Sequence, residues 1–143
     1  MIIDAQLLFS DEQAITATAA STNIIDLGEE RRIGTGEPLY LVASLDEAMA
    51  DAGSDSTITV TLESDSTSAF SSPATVMTLG TFAATSAAGT ALKGVLPPDV
   101  PTERFIRLNY TVANGNLSAG KVTAEIVKSV DAWRAYPDAV TIS

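Results

Sequence analysis

The sequence predicts an all-β, antiparallel two-sheet sandwich, on three observations. Residues 104–127, RFIRLNYTVANGNLSAGKVTAEIV, alternate apolar and polar on both sides of a Gly/Asn-rich loop. Ile106, Leu108, Tyr110 and Val112 oppose Arg107, Asn109 and Thr111, and beyond the loop Val122, Ala124 and Ile126 oppose Lys121, Thr123 and Glu125. Period two on both sides of a turn predicts an antiparallel hairpin with one face on a core. Roughly eight short strands follow one another at close spacing with turn residues between them, the pattern of sandwiches and barrels. No segment keeps a 3.6-residue period over the length of a helix.

Taken in order, residues 1–9 are apolar enough for a short strand or a docking arm. Ser10-Asp11-Glu12-Gln13 breaks that run, and Ser10 with Gln13 three residues on fits a capping box and one helical turn. Residues 14–18 and 23–27 read as short strands. Gly28, Gly34, Gly36 and Pro38 bound a polar loop that carries Glu29, Glu30, Arg31 and Arg32. Residues 39–45 (LYLVASL) are nearly continuously apolar, as in a central strand covered on both sides. Residues 46–56 read as a loop or a single helical turn. Residues 57–63 (TITVTLE) then alternate, with Ile58, Val60 and Leu62 inward and Thr57, Thr59 and Thr61 outward. Residues 75–79 and 92–96 are further strands, punctuated by Pro73, Gly80, Pro97, Pro98 and Pro101. A sandwich of jelly-roll type is preferred to a barrel. At 143 residues it is one domain, with an N-terminal arm (1–9) and a C-terminal tail (130–143).

Composition excludes several function classes. The chain has no Cys and no His, so disulfides, thiolate metal sites and Ser-His-Asp or Cys-His catalysis are ruled out. Eight basic against 18 acidic residues give a net charge of −10, which repels phosphate backbones and disfavours nucleic acid as a partner. No apolar run nears the ~20 residues that span a bilayer, so no membrane is expected. The N-terminus lacks the basic n-region of a secretory signal, and synthesis in the cytosol is expected.

Few motifs carry chemistry. Asp46, Glu47, Asp51 and Asp55 could present oxygen ligands to calcium, but DEAMADAGSDS lacks the spacing of a calcium loop and reads as solvated. Arg31 and Arg32 with Glu29 and Glu30 could form an intersubunit salt-bridge patch or merely an exposed turn. Trp133, Arg134 and Tyr136 are the residue types of interface hot spots, and equally of a lid over the chain's own core. Residues 66–92 hold no charged side chain, which lowers the cost of docking against another protein. Lys93, Lys121 and Lys128 stand in no context that marks a base, and Gly34-Thr35-Gly36 is too short for a phosphate loop. No cofactor is expected, and an enzyme is not.

Three stretches, residues 9–28 (FSDEQAITATAASTNIIDLG), 33–42 (IGTGEPLYLV) and 104–130 (RFIRLNYTVANGNLSAGKVTAEIVKSV), with a weaker echo at 65–76, resemble the cement (decoration) proteins of podovirus-type tailed bacteriophage capsids. The resemblance implies a jelly-roll subunit on the outside of the virion shell, bound at junctions of the major capsid protein. It further implies a homo-oligomer, a homodimer in preference to a homotrimer, made in the host cytoplasm. The sequence departs from the family in residues 46–56 and after residue 130. A carbohydrate- or receptor-binding sandwich of a virion appendage is the alternative; its stacking platforms would be Tyr40, Tyr110, Tyr136 and Trp133, with Tyr110 expected in the core. A small hydrolase ranks third.

Overall fold

The computed structural model describes residues 4–130. Among them, a single 3-10 turn (Ala5–Leu7) is followed by β1 (Leu8–Ala14), β2 (Ala19–Ala20), β3 (Ile25–Asp26), β4 (Tyr40–Ala50) and β5 (Thr57–Asp65). Then come β6 (Ala74–Phe82), β7 (Ala91–Val95), β8 (Phe105–Ala113) and β9 (Ala119–Val127). They form two antiparallel sheets, sheet A in the order β1-β9-β4-β7 and sheet B in the order β2-β8-β5-β6, with β3 also on β8.

That order is a jelly roll. β2 and β3 lie end to end along β8, through Ala19 opposite Tyr110 and Ile25 opposite Ile106, so they act as one interrupted strand. Eight strands result, wound so that successive strands mostly alternate between sheets. β5 and β6 alone are consecutive strands that pair with each other.

The core lies between the sheets. Inward rows from β4 (Leu41, Ala43, Leu45), β5 (Ile58, Val60, Leu62), β8 (Ile106, Leu108, Tyr110) and β9 (Val122, Ala124, Ile126) are all buried. The alternation of residues 57–63 is realised without a slip, and β4 is buried over 41–45 on both of its faces. On the side where β6 and β7 adjoin, closure depends on a missing side chain. A Cβ on Gly94 would come within 2.9 Å of Leu79 Cδ1 and 3.1 Å of Met77 Cε, so those side chains occupy the space over bare backbone.

Four expectations need correction. The segment 104–127 is not a hairpin: β8 and β9 belong to different sheets, and the connection 114–118 crosses the sandwich. Period two reports which face of a strand is buried, not which strand lies beside it. Residues 10–13 do not turn into a helix either; β1 runs through them on two register shifts, with Glu12 at φ 45. Ser10 does donate to Gln13 Oε1 (2.7 Å), but that oxygen also accepts from Thr22 N and Thr22 Oγ1 (both 2.9 Å), while Gln13 Nε2 donates to Ala20 O (2.8 Å). Gln13 therefore stitches sheet A to sheet B instead of capping a helix. With the Ser10 proton committed to Gln13, the buried Tyr110 hydroxyl donates to Ser10 Oγ at 2.7 Å.

The third correction concerns residues 46–56, which are not all loop, because β4 continues to Ala50 and pairs there with Ala119. Fourth, the strand expected at 14–18 is not formed, since Ala14 ends β1 and the next strand falls just beyond at Ala19–Ala20, while the one expected at 23–27 shrinks to Ile25–Asp26. Pairing with β8 and not local composition sets their place and extent.

Adjacent residues of β5 should respond very differently to truncation. Leu62→Ala, in the core, should destabilise by about 2–5 kcal/mol, whereas Thr61→Ala on the outer face should stay within about 0.5 kcal/mol or slightly beyond. Urea denaturation followed by tryptophan-independent far-UV dichroism measures both; equal costs would contradict the assigned faces.

Candidate functional site

Of the interface residues singled out in the sequence, Arg31 and Arg32 lie among the described residues. Arg31 is pinned through its backbone, which exchanges hydrogen bonds with Thr102 (Arg31 N to Thr102 O 3.1 Å, Thr102 N to Arg31 O 2.9 Å) and accepts from the Thr102 hydroxyl at 2.8 Å. Its guanidinium lies 3.4 Å from Glu29 within the same exposed loop, a pair worth about 0–1 kcal/mol. Arg32 is exposed. Trp133, Arg134 and Tyr136 lie outside the described residues.

A stronger ion pair was not legible in the sequence. Arg104 grips Asp26 through two nitrogens, Nε and Nη2, each at 2.8 Å, tying the end of β3 to the start of β8. The Arg104 hydrogen bond and the Gly28 amide lower the Asp26 pKa to about 2. The two residues are 78 positions apart, and only the β3–β8 register makes them neighbours.

Beside this pair opens a cavity of about 850 Å³, lined by Leu7, Leu8, Ile24, Ile25, Asp26 and Arg31 among others. Among its described lining residues the one carboxylate, Asp26, is committed to Arg104 and ionised far below neutrality, so it is a poor general base. The acidic loop is equally committed. Asp51 is partly desolvated, yet the Ser56 hydroxyl (2.8 Å) and the amides of Asp55 and Ser56 (3.3 Å each) outweigh that and hold its carboxyl below the usual range. Asp46 accepts from the Thr123 hydroxyl, and Glu47 faces Lys121 at 3.7 Å. Among the described residues no group of three or more acidic side chains could hold a metal ion. Nor is any described aromatic exposed: Tyr110 is in the core as expected and Tyr40 is half-buried.

What the structure does assemble is an uncharged outer face on sheet B. Cross-strand pairs Thr59–Thr81 and Thr59–Thr111, Thr61–Thr78 and Thr61–Asn109, and Glu63–Thr75 set rows of outward residues side by side. Thr59 and Thr81 hydroxyls bond at 2.9 Å, and Asn109 Nδ2 donates to Thr111 Oγ1 at 3.1 Å. At one end of the array Arg107 meets Glu63 at 3.1 Å and lies 4.2 Å over the Phe70 ring, so its charge is neutralised locally. Phe70 is held there by the loop after β5. Buried Asp65 accepts from the amides of Thr67 (3.0 Å) and Ser72 (2.9 Å), and these bonds hold its carboxyl below its ordinary range. Alternation in β5 signalled the outward threonines, but their partners on β6 and β8 follow from register alone.

The outer face of sheet A holds a surprise. Glu125, read on the face opposite Val122, Ala124 and Ile126, is 1% exposed beside Val42 and Leu8, and among the described residues neither carboxylate oxygen has a hydrogen-bond partner. Burial pushes its pKa up. A carboxyl whose folded pKa is raised costs stability once pH exceeds its unfolded value, because the folded state resists ionisation. Asp65 has the opposite sign: its depressed pKa stabilises the fold above about pH 4 and ceases to do so as acid protonates it. Glu125→Gln should therefore raise the melting temperature at pH 7 and lose that advantage below about pH 4. Asp65→Asn should lower it at pH 7, with the gap closing in acid. Thermal melts from pH 3 to 8 read both, and matching signs would contradict these environments.

A family model called Bbp16 matches residues 9–126, spanning all nine strands but for the first residue of β1 and the last of β9. No curated protein matches the chain. The match covers well over half of the sequence and both sheets of the sandwich, and on it the chain belongs to the Bbp16 family, a phage-related family.

Proposed function

We propose that this chain is a structural virion protein, a capsid cement that binds the outside of the major capsid protein shell and stabilises it. One observation carries the reading: a phage-related jelly roll whose ionisable groups are largely spent on its own loops and strand ends. Asp26, Asp51 and Asp65 each fix backbone, and none is left poised for proton transfer. Such a molecule acts by adhesion, not by turnover. Six described aromatics, all at least partly buried, also make a poor platform for sugar stacking, which weakens the appendage alternative.

The mechanism is mass action. A ligand that binds the assembled shell and not its dissociated subunits stabilises assembly by about 2.7 kcal/mol at a hundredfold excess over its Kd. An interface of ~800 Å² per partner supplies this only if its anchors are good. A homodimer engages two capsid sites together, and the second attachment is then intramolecular and adds avidity. Its symmetry would match a local two-fold of the shell. The natural location is the outer capsid surface, after synthesis in the host cytoplasm.

Purified shells stripped of this chain should bind it saturably and rupture at a lower temperature than shells carrying it. Cosedimentation with a titration of added protein, together with a thermal rupture assay, tests both. Absence of saturable binding sinks the reading, and a strict monomer in sedimentation equilibrium removes the dimer from it.

A further inference from the structure

We infer that the threonine face of sheet B, with its bordering edge strand β6, is the surface that docks on the shell; this rests on the capsid reading above. Two independent observations point there. The first is charge. The chain carries −10, yet the outward positions of β5, β6 and β8 from Thr59 to Thr81 and Thr111 are hydroxyls and one amide, and their only ions, Arg107 and Glu63, neutralise each other. Threonine is stiff at χ1, so an array of them gives up little side-chain entropy on contact. Uncharged hydroxyls also cost less to desolvate than the acidic loops do.

The second observation is the edge. A strand edge with unpaired amides invites another polypeptide, and proteins protect it with charge, proline or brevity. Here β1 carries Asp11 and Glu12, β7 carries Lys93, β2 and β3 have two residues each, and β3 ends on the Asp26–Arg104 pair. β6 has nine residues, no charge and no proline, and among the described strands it pairs with β5 alone. Two register shifts bend it, and although its side chains Met77 and Leu79 pack over Gly94 of β7, no described strand other than β5 is hydrogen-bonded to it. An unguarded edge beside an uncharged face fits a protein surface that is itself uncharged and rich in hydrogen-bonding groups.

Thr78 is exposed near the middle of β6, so charge placed there should leave the fold intact. Full-length Thr78→Glu and Thr78→Lys, each checked by thermal melt, are titrated against purified shells beside wild type and a Lys93→Glu control. Both charges should weaken binding at least ~10-fold, since each must be desolvated against an uncharged partner, and the control should bind as wild type does. Wild-type affinity should change less than ~threefold between low and high salt. Loss with only one sign of charge, a steep salt dependence, or full binding by both variants overturns the assignment while leaving the capsid reading in place. So does a variant that keeps shell binding but halves its solution mass, which would make the face a contact between copies. Failure of wild type to bind any shell removes both the capsid reading and this surface.

Discussion

Everything in this molecule depends on the interdigitation of four inward rows, from β4 and β9 in one sheet and β5 and β8 in the other. Nearly every contact among them joins residues distant in sequence, as a jelly roll requires. Loop closure must therefore precede the apolar burial that compensates for it. No row is stable without its opposite, because a sheet with one greasy face has nowhere else to put it. The rows do not close the sandwich by themselves. Along β1, Gln13 spans from one sheet to the break between β2 and β3, and along β7, Gly94 admits Leu79 and Met77. One side is sutured by hydrogen bonds and the other is filled with side chains.

That division has consequences for the polar groups. A carboxylate that accepts backbone amides is stabilised as an anion and orders the segment it caps, as Asp65 does for the loop that seats Phe70 under Arg107. Asp51 and Asp26 serve in the same way at other corners. The acidic composition is thus partly architectural: several of the charges that set the low isoelectric point hold turns in place. Glu125 is the exception. It is buried, and among the described residues its carboxylate has no hydrogen-bond partner, so burial leaves its ionised form costly.

Strand interiors were legible in the sequence, since burial imposes a period that the side chains must obey. Residues 39–45 and 57–63 show it directly, the first as a strand buried on both faces, the second as one buried on alternate residues. Pairing was not legible. The loop at 114–118 has the composition of a hairpin turn, yet its two strands pair in different sheets, β8 with β5 and β9 with β4. The same limit hid the candidate surface. Thr57, Thr59 and Thr61 announce an outward face, but Thr78, Thr81 and Thr111 join them only through register, across a bulge that local propensity does not encode. Ser10 and Gln13 show a subtler failure: the spacing was right for a hydrogen bond, and the bond exists, but in a strand.

A protein that adheres to a shell as proposed above faces two opposed demands, to avoid association beyond its own dimer while free and to lose little when it finally touches its target. Net charge would meet the first, since like-charged dimers repel out to about a Debye length, ~8 Å at physiological salt. The same charge would tax the second if it were spread evenly, because every buried carboxylate must be desolvated or paired. Segregation reconciles them. Acidic side chains populate the loops and strands β1, β3, β4, β5 and β9, but the span from 66 to 92 has none, and on the outer face of sheet B Glu63 is paired with Arg107. A jelly roll suits this arrangement, because its two sheets expose two broad outer faces, and one can be left neutral without lowering the charge carried by the rest of the surface.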